Sequence, residues 1–249
     1  MKNMTNTPKK SVVQVHFDKH NVTLAYYNDQ FDLQVGDMVY VEGRMSGLLG
    51  RVTEVSYSFK IKLSDYKKVI SLVDTSAKGQ FFMAGSHFVT FDREALPKSK
   101  AITWFKSPEN DEEEFVTGSE GETFTLDNLK GFVISPEIAE RGHEYYVGCK
   151  VRYLCLDGNK GYAIVEGTRA YEVDFEYQDG EISGLVCDCF CGYNCKHEFA
   201  AMLQLRETLR LITKHYENEY KQNDYFVAIA KGTLFLFAIY EKETGALAL

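Results

Sequence analysis

One short stretch limits what this chain can fold into more than any other. Residues 187–197 read "CDCFCGYNCKH" and hold four cysteines and one histidine. Thiolate and imidazole are the ligands that zinc prefers, and a tetrahedral ion needs only four of these five side chains. The stretch therefore predicts a metal site, and composition alone leaves open which four side chains bind.

The spacing of the five side chains favours two pairs of ligands. Cys187 and Cys189 follow a predicted strand, where alternate side chains point to the same face. Cys195 and His197 are again one residue apart, where a helix is predicted to begin. Cys191 lies in the reversing turn between the pairs and would compete for the metal only if the strand continued through it. We expect Cys187, Cys189, Cys195 and His197 to bind one structural zinc ion, with no open position for a catalytic water.

The order C-x-C-x5-C-x-H, followed by an amphipathic helix, resembles the SWIM zinc finger. The resemblance covers about residues 138–210 and includes an Arg-Gly-x-x-Tyr element, the "VEGTRAYEV" strand and the "CKHEFAAML" helix. It implies recognition of DNA or of a protein partner, with Lys196 and the exposed side of the helix presented to the ligand. SWIM modules occur beside Snf-type helicase-like ATPases. Because the chain lacks the phosphate-binding motif of such motors, a motor would be a separate polypeptide.

Alternating polar and apolar residues, broken by glycine turns, predict an α+β protein in two main parts. The segments "DMVYVEG" and "GRVTEVSY" have the rhythm of a small SH3-like β-barrel. The predicted parts are a flexible tail at 1–11, a β-rich SH3-like domain at 12–105, an acidic linker at 106–124, a SWIM zinc-finger domain at 125–222 and a terminal β-meander at 223–249.

Two helices and several turns are predicted in the second part. In "SPEIAERGHEYY" the serine is placed to cap a helix whose first residue is proline. Beyond His197, apolar residues recur at spacings of three and four, which predicts a long amphipathic helix. The dipeptides Asp157-Gly158 and Asp179-Gly180 predict hairpin turns. The last segment, "YFVAIAKGTLFLFAIYEKETGALAL", indicates a strand meander that turns at its two Gly positions.

Charge is spread unevenly along a chain whose net charge is -8. Residues 1–105 carry 14 Lys and Arg against 10 Asp and Glu, whereas the rest carries 14 against 26. Lys60 and Lys62 share one face of a predicted strand, and Arg51 flanks the preceding hairpin. A solvated strand face and a strip that follows a phosphate backbone both explain these cations. Together with Lys196, they are the residues predicted to contact nucleic acid or a partner.

An enzymatic function is not expected from the remaining residues. Ser86, His87 and Asp92 lie close together in "GSHFVTFD", but Ser86 and His87 should face opposite sides of an alternating strand. A satisfied or solvent-facing histidine is therefore favoured over a catalytic one. The alternative to DNA binding is a protein-interaction adaptor, because Phe235 and Phe237 near the end of the chain could form an exposed apolar patch.

The first residues lack the apolar core of a signal peptide, and no later run is long enough for a membrane span. We expect a cytoplasmic protein with no membrane or small-molecule partner. A reducing cytosol disfavours disulfides, which supports metal binding by the clustered cysteines. Cys149 and Cys155 lie in alternating apolar stretches and are predicted to belong to the core.

Overall fold

The computed structural model describes residues 9–58, 62, 65–108, 117–118, 122–191 and 193–238. The described residues within 1–76 and 102–111 form one compact unit, and those within 77–101 and 112–249 form a second. Each unit is built on an antiparallel sheet, and helices accompany the sheet of the second unit. The predicted α+β class is therefore confirmed.

The first unit contains a five-stranded sheet in the order β2-β1-β4-β3-β5. Its strands are β1 Ser11–Phe17, β2 Val22–Asn28, β3 Met38–Val41, β4 Gly50–Ser56 and β5 Val69–Val73, with 3-10 helices at Asp18–His20 and Gly43–Met45. A Cβ atom on Gly50 would lie 2.4 Å from Cγ1 of Val15, so glycine permits the close approach of β4 to β1. A bridge between Tyr27 and Lys68 brings the two edges of the sheet together. The order of strands does not identify an SH3-like arrangement, which stays a prediction.

The second unit contains a nine-stranded sheet in the order β6-β7-β14-β10-β11-β12-β13-β8, with β9 also paired to β13. Its strands are β6 Phe82–Ala84, β7 His87–Thr90, β8 Thr117–Gly118, β9 Phe124–Thr125, β10 Val151–Asp157, β11 Lys160–Glu166, β12 Ala170–Gln178, β13 Glu181–Cys187 and β14 Tyr225–Ala230. Asp179 and Gly180 join β12 to β13 with φ angles of 51° and 89°, the left-handed pair that a tight hairpin turn requires. This predicted turn and the one at Gly158 are confirmed.

The helices are α1 Lys98–Thr103, α2 Pro136–Val147, α3 Lys196–His215, α4 Glu217–Asn223 and α5 Lys231–Phe237. The side chain of Ser135 accepts a hydrogen bond from the backbone N–H of Ile138 at 3.3 Å, and Pro136 is the first helical residue, as predicted. Buried residues of α3, including Met202 and Ile212, join the core of the sheet. In the described part of the chain, no helix is long and apolar enough to cross a membrane.

The boundary between the units differs from the predicted one near residue 105. Residues 77–101 belong to the second unit, where β7 pairs with β14 from Val227 opposite Thr90 to Ala230 opposite His87. Alternation in a sequence indicates a strand but carries no information about its distant partner. The partner is chosen by tertiary pairing, so a stretch inside the predicted first domain belongs to the second unit, whereas residues 102–108 stay with the first.

The predicted terminal meander is also corrected. Its first part forms β14, whose six residues are all buried. The chain then forms helix α5 where a turn at Lys231-Gly232 was predicted. Leu234 and Phe237 are three residues apart and both buried, which is the spacing of one helix face. The second predicted turn, near Gly245, lies outside the described residues.

Part of the predicted acidic linker belongs to the sheet. Thr117 and Gly118 form β8 and pair with Cys187 and Val186, so the linker provides the strand next to the cysteine cluster. A strand that lies beside an exposed sheet edge satisfies its unpaired backbone groups. Residues 109–116 of the linker and residues 1–8 of the tail lie outside the described residues. Ser11, assigned to the tail, already lies in β1.

Candidate metal centre

The end of strand β13 and the start of helix α3 bring the predicted ligands together. Cys187 is the last residue of β13, Cys195 is the N-cap of α3, and His197 lies in the first turn of that helix. One donor atom from each of Cys187, Cys189, Cys195 and His197 lies within 4.8 Å of all the others, and the four side chains are buried. Cys191 is exposed and lies outside this cluster. The predicted set of four is therefore assembled, and it could hold a metal ion.

The dimensions of the cluster fit a tetrahedral ion. Nδ1 of His197 lies 3.8 Å from Sγ of Cys187 and 3.7 Å from Sγ of Cys195. With zinc bonds of about 2.3 Å to sulfur and about 2.0 Å to nitrogen, tetrahedral angles place these atoms about 3.5 Å apart. Only a few tenths of an ångström separate the observed distances from this value. Nδ1 of His197 and these two sulfurs thus need little movement to coordinate one ion, and the remaining donor atom, Sγ of Cys189, lies within 4.8 Å of each of them.

The sulfurs of the cluster affect one another's ionisation. Hydrogen bonding with the neighbouring sulfurs raises the pKa of Cys187 and lowers the pKa of Cys189. The sulfurs of Cys187 and Cys189 therefore lie close enough to compete for protons. A divalent cation would replace these protons, because it is the thiolate that binds metal.

A capping box fixes the second ligand pair. Sγ of Cys195 accepts a hydrogen bond from the backbone N–H of Glu198 at 3.4 Å, and the Glu198 carboxylate accepts from the backbone N–H of Cys195 at 2.5 Å. These are the two reciprocal bonds by which a helix satisfies its first unpaired N–H groups. Glu198 is fully buried, and burial raises the pKa of its carboxyl to about 8. The start of α3 thus holds Cys195 in place.

An ion pair fixes the first ligand pair. Asp188, between the two cysteines, pairs with Arg169 at 2.9 Å from Nη1 to Oδ2, and its backbone oxygen accepts a second bond from the same guanidinium. The other carboxylate oxygen accepts from the backbone N–H of Glu172 at 2.8 Å. Both charged side chains are mostly buried. Arg169 therefore anchors the segment that carries Cys187 and Cys189.

Two tyrosines hold the imidazole of His197. Its ring is stacked on Tyr171, with centroids 4.0 Å apart and an angle of 17°, and Tyr145 packs edge-on with centroids 5.5 Å apart. Nε2 of His197 is buried and has no hydrogen-bond partner among the described residues. The ring is therefore oriented by aromatic packing, and its one polar contact is with the sulfurs.

Gly142 allows α2 to approach α3 at the metal centre. A Cβ atom on Gly142 would lie 2.9 Å from the backbone oxygen of Lys196 and 2.8 Å from a ring atom of Phe199. Both distances are shorter than carbon contacts allow. Two residues of the Arg-Gly-x-x-Tyr element therefore have structural roles. Its glycine permits α2 and α3 to cross closely, and its tyrosine, Tyr145, contacts His197.

The predicted contact residues are divided between the two units, with Arg51 and Lys62 in the first and Lys196 in the second. Lys60 lies outside the described residues, so the predicted strip of lysines stays a prediction. Lys62 is exposed, and Arg51 donates to the backbone oxygen of Gly36 at 3.3 Å. Lys196 begins α3 with its ammonium 4.6 Å from the ring centroid of Tyr145, beside the metal centre.

The Ser86 and His87 side chains contact each other, which differs from the prediction that they face opposite sides. Ser86 lies in the turn before β7, and its Oγ is 2.9 Å from Nδ1 of His87. The other ring nitrogen, Nε2, lies 2.8 Å from the backbone oxygen of Val151. His87 is fully buried, and both of its ring nitrogens have hydrogen-bond partners. This matches one of the two predicted environments, that of a satisfied histidine. Asp92 is engaged elsewhere, accepting from the backbone N–H of Glu94.

Sequence reasoning missed the residues that support the ligands. Arg169 and Asp188 carried no signal, because an ion pair between two strands depends on their register. Glu198 did carry one, since a glutamate three residues after an N-cap is the pattern of a capping box. Of the other two cysteines, Cys155 is buried as predicted, whereas Cys149 is half-buried and follows α2 with a φ of 52°.

The fold and the site define an α+β protein with a buried cluster of three cysteines and one histidine of metal-ion dimensions. No protein-family model, curated protein or solved structure matches the chain.

Proposed function

We propose that this chain is a non-enzymatic, zinc-binding recognition module of the SWIM type that binds DNA. The observation that carries the proposal is the burial of four soft donor atoms within 4.8 Å of one another at a strand-to-helix junction. Three thiolates and one imidazole favour zinc over hard cations such as Mg²⁺. Bound there, zinc would supply a rigid link between β13 and α3, with all four positions filled by protein.

The SWIM assignment is supported by what each quoted element does. The glycine and tyrosine of "RGHEY" contact the start of α3 and His197, Tyr171 of "VEGTRAYEV" stacks on His197, and "CKHEFAAML" provides the capped helix. Each part of the resemblance therefore serves the metal centre. The SH3-like first unit, a cytoplasmic location and a separate Snf-type ATPase partner remain parts of this proposal.

The experiment combines metal analysis with DNA titration. Purified protein should contain one zinc ion per chain, and Cys195→Ser should contain none. Fluorescence anisotropy of labelled single- and double-stranded DNA, at two salt concentrations, should show binding that weakens as salt rises, because counterions are released from the phosphates. Folded, zinc-loaded protein that binds neither form of DNA would contradict the DNA-binding part of the proposal.

The second candidate is a protein-interaction adaptor. Exposed aromatic side chains near the cluster favour it, since Phe190 is 75% exposed and Tyr193 is 47% exposed. Of the apolar pair predicted near the end of the chain, Phe235 is exposed but Phe237 is buried in α5. A single stoichiometric protein recovered in salt-washed, nuclease-treated pull-downs would favour the adaptor over DNA binding.

A further inference from the structure

A groove in the second unit runs along one side of α3, away from the metal ligands. It has a volume of about 640 Å³ and lies between α2, α3, the loop after β9 and the end of strand β12. Its lining combines cations and tyrosines, and the residues used below are Arg206, Arg210, Lys214, Tyr146, Tyr177 and Glu207.

The cations of the groove form a continuous stripe on the helix. Arg206, Arg210 and Lys214 are four residues apart, so they lie on one face with a rise of about 6 Å between neighbours. Arg206 donates to the backbone oxygen of Asp127 at 3.1 Å. Among the described residues, neither Arg210 nor Lys214 forms an ion pair. The stripe therefore presents charges that no described carboxylate neutralises directly.

Helix stability does not explain this stripe. Like charges four residues apart destabilise a helix slightly, so each step of the stripe opposes folding of α3. Lys214 lies in the last turn, where a cation interacts favourably with the helix dipole. That effect fades within one turn and does not reach Arg206 or Arg210. The stripe also lies in the part of the chain where acidic residues outnumber basic ones.

The two carboxylates of the groove do not cancel the stripe. Asp127 and Glu207 also line it, against three cations. Burial and the neighbouring Glu207 raise the pKa of Tyr146, while Arg206 and Arg210 oppose that shift. The Glu207 carboxylate is thus engaged with the Tyr146 hydroxyl inside the groove.

The tyrosines indicate which anion the groove fits. Tyr146 and Tyr177 lie partly exposed in the lining beside the cations. Cations that follow a backbone and aromatic rings on which bases stack are the two components of single-strand binding sites. The Asp and Glu side chains of an acidic peptide would use the cations but have no flat rings to place on the tyrosines.

We infer that this groove binds single-stranded nucleic acid, with the stripe of Arg206, Arg210 and Lys214 on the phosphates and Tyr177 against a base. The inference rests on the proposed function and names the surface that performs it. That surface differs from the predicted lysine strip of the first unit. Because Cys195 caps α3 and His197 lies in its first turn, the metal centre holds the helix that carries the stripe.

The test uses the zinc-loaded full chain and a fluorescein-labelled oligothymidylate, with a duplex of equal length as the competing probe. The groove variant is Arg210→Glu with Lys214→Glu, at two exposed positions. The matched control is Lys19→Glu with Lys78→Glu, which makes the same charge change at exposed positions outside both the groove and the predicted contact residues. Thermal unfolding verifies that all variants are folded.

We expect the groove variant to bind oligothymidylate at least about tenfold more weakly and the control to bind like the original chain. Loss of two phosphate contacts should also make the slope of log affinity against log salt shallower by about 1.4. Tyr177→Leu should weaken binding by about tenfold with an unchanged salt slope, because stacking releases no counterions.

Three results would overturn the inference. If the original chain binds DNA and the groove variant binds equally well, the groove is not the binding surface, and the proposed function is unaffected. If the duplex binds more tightly than the single strand, the single-strand assignment is wrong. If no DNA binds, the proposed function fails together with the inference, and polyglutamate binding lost in the groove variant would identify an acidic-peptide site.

Discussion

Two buried histidines of the second unit lie in opposite kinds of surroundings. Both nitrogens of His87 have protein partners, Ser86 and the backbone oxygen of Val151, at 2.9 Å and 2.8 Å. His197 is equally buried, yet Nδ1 faces only sulfurs and Nε2 has no partner among the described residues. Protein groups satisfy both ring nitrogens of His87, whereas the surroundings of His197 contain donor atoms that a bound cation would bring together.

The contrast shows that burial of a histidine does not reveal its role. A buried polar group must be satisfied, and its partners show whether the protein itself supplies them. For His87 the fold supplies both partners, and burial lowers the pKa of the imidazole to about 4. For His197 the fold supplies three thiols whose sulfurs lie within 4.8 Å of its ring nitrogen. Five changes test this difference.

The largest effect is expected from Cys195→Ser, which removes a ligand while keeping the helix cap, because serine is itself a preferred N-cap residue. A structural zinc ion contributes on the order of 10 kcal/mol to folding in small fingers. We expect the variant to lose its zinc and the cooperative unfolding of the second unit, measured by metal analysis and thermal circular dichroism. An unchanged melting temperature in a zinc-free variant would contradict a structural metal.

The second test is acidification, which acts on His87. Its folded pKa of about 4 lies below the usual value of 6.5, so the unfolded state binds more protons between these values. The contribution of His87 to the free energy of unfolding, about 3 kcal/mol, is therefore fully present above pH 6.5 and is lost as the pH falls toward 4. His87→Gln should remove this contribution, seen as a flatter dependence of unfolding free energy on pH.

The pH comparison needs zinc-loaded protein in both cases, because acid also releases metal from cysteine ligands. That release is common to both proteins and cancels in the difference between their curves. Identical curves for the two proteins would show that His87 does not titrate as its surroundings require. His87→Gln should still bind one zinc ion.

The third change, Gly142→Ala, acts where α2 meets the metal centre. An exposed helical glycine is stabilised by alanine by about 1 kcal/mol. Here the added Cβ would meet Lys196 and Phe199 at 2.9 Å and 2.8 Å, so we expect destabilisation by about 1–3 kcal/mol instead. Urea unfolding measures the sign, and a more stable variant would show that the helices can separate without cost.

The fourth change, Arg169→Ala, removes the anchor of Asp188 without touching a ligand. Loss of such supporting partners typically weakens metal binding by about tenfold to a hundredfold. Competition with a chromophoric chelator measures the zinc affinity. Arg93→Ala is the matched control, because the ion pair of Arg93 with Asp157 is exposed and far less restrained by the fold. Equal zinc affinities in Arg169→Ala and Arg93→Ala would contradict an anchoring role for Arg169.

The smallest effect is expected from Cys191→Ser. This cysteine is exposed and lies outside the cluster, so zinc stoichiometry should stay at one and stability should change by less than about 0.5 kcal/mol. Cys189→Ser, two residues earlier, should instead lose zinc. A loss of zinc from Cys191→Ser would mean that the site uses a different set of four ligands.

The local features of the chain could be predicted from the sequence. The cluster of four Cys and His side chains, the long helix after His197, the N-cap at Ser135 and the hairpin turn at Asp179 all rest on spacings of a few residues, which local geometry determines. The placement of β7 beside β14 and the helix α5 could not be predicted in this way. Alternation at His87–Thr90 fits many possible partners, and "LFLF" is too short for its period to separate a strand from a helix.

By itself, the sequence determined which side chains could form a metal site, because the possible ligands lie within eleven residues and a reversal of the chain can bring them together. Tertiary structure alone decided what supports that centre. The ion pair of Arg169 with Asp188 and the contact of Tyr145 with His197 form only after strands and helices from distant parts of the chain have packed. The same packing brings the backbone of Lys196 close to Gly142. The physical reason is that ligand spacing is a local property, whereas register, helix crossing and burial are properties of the whole fold.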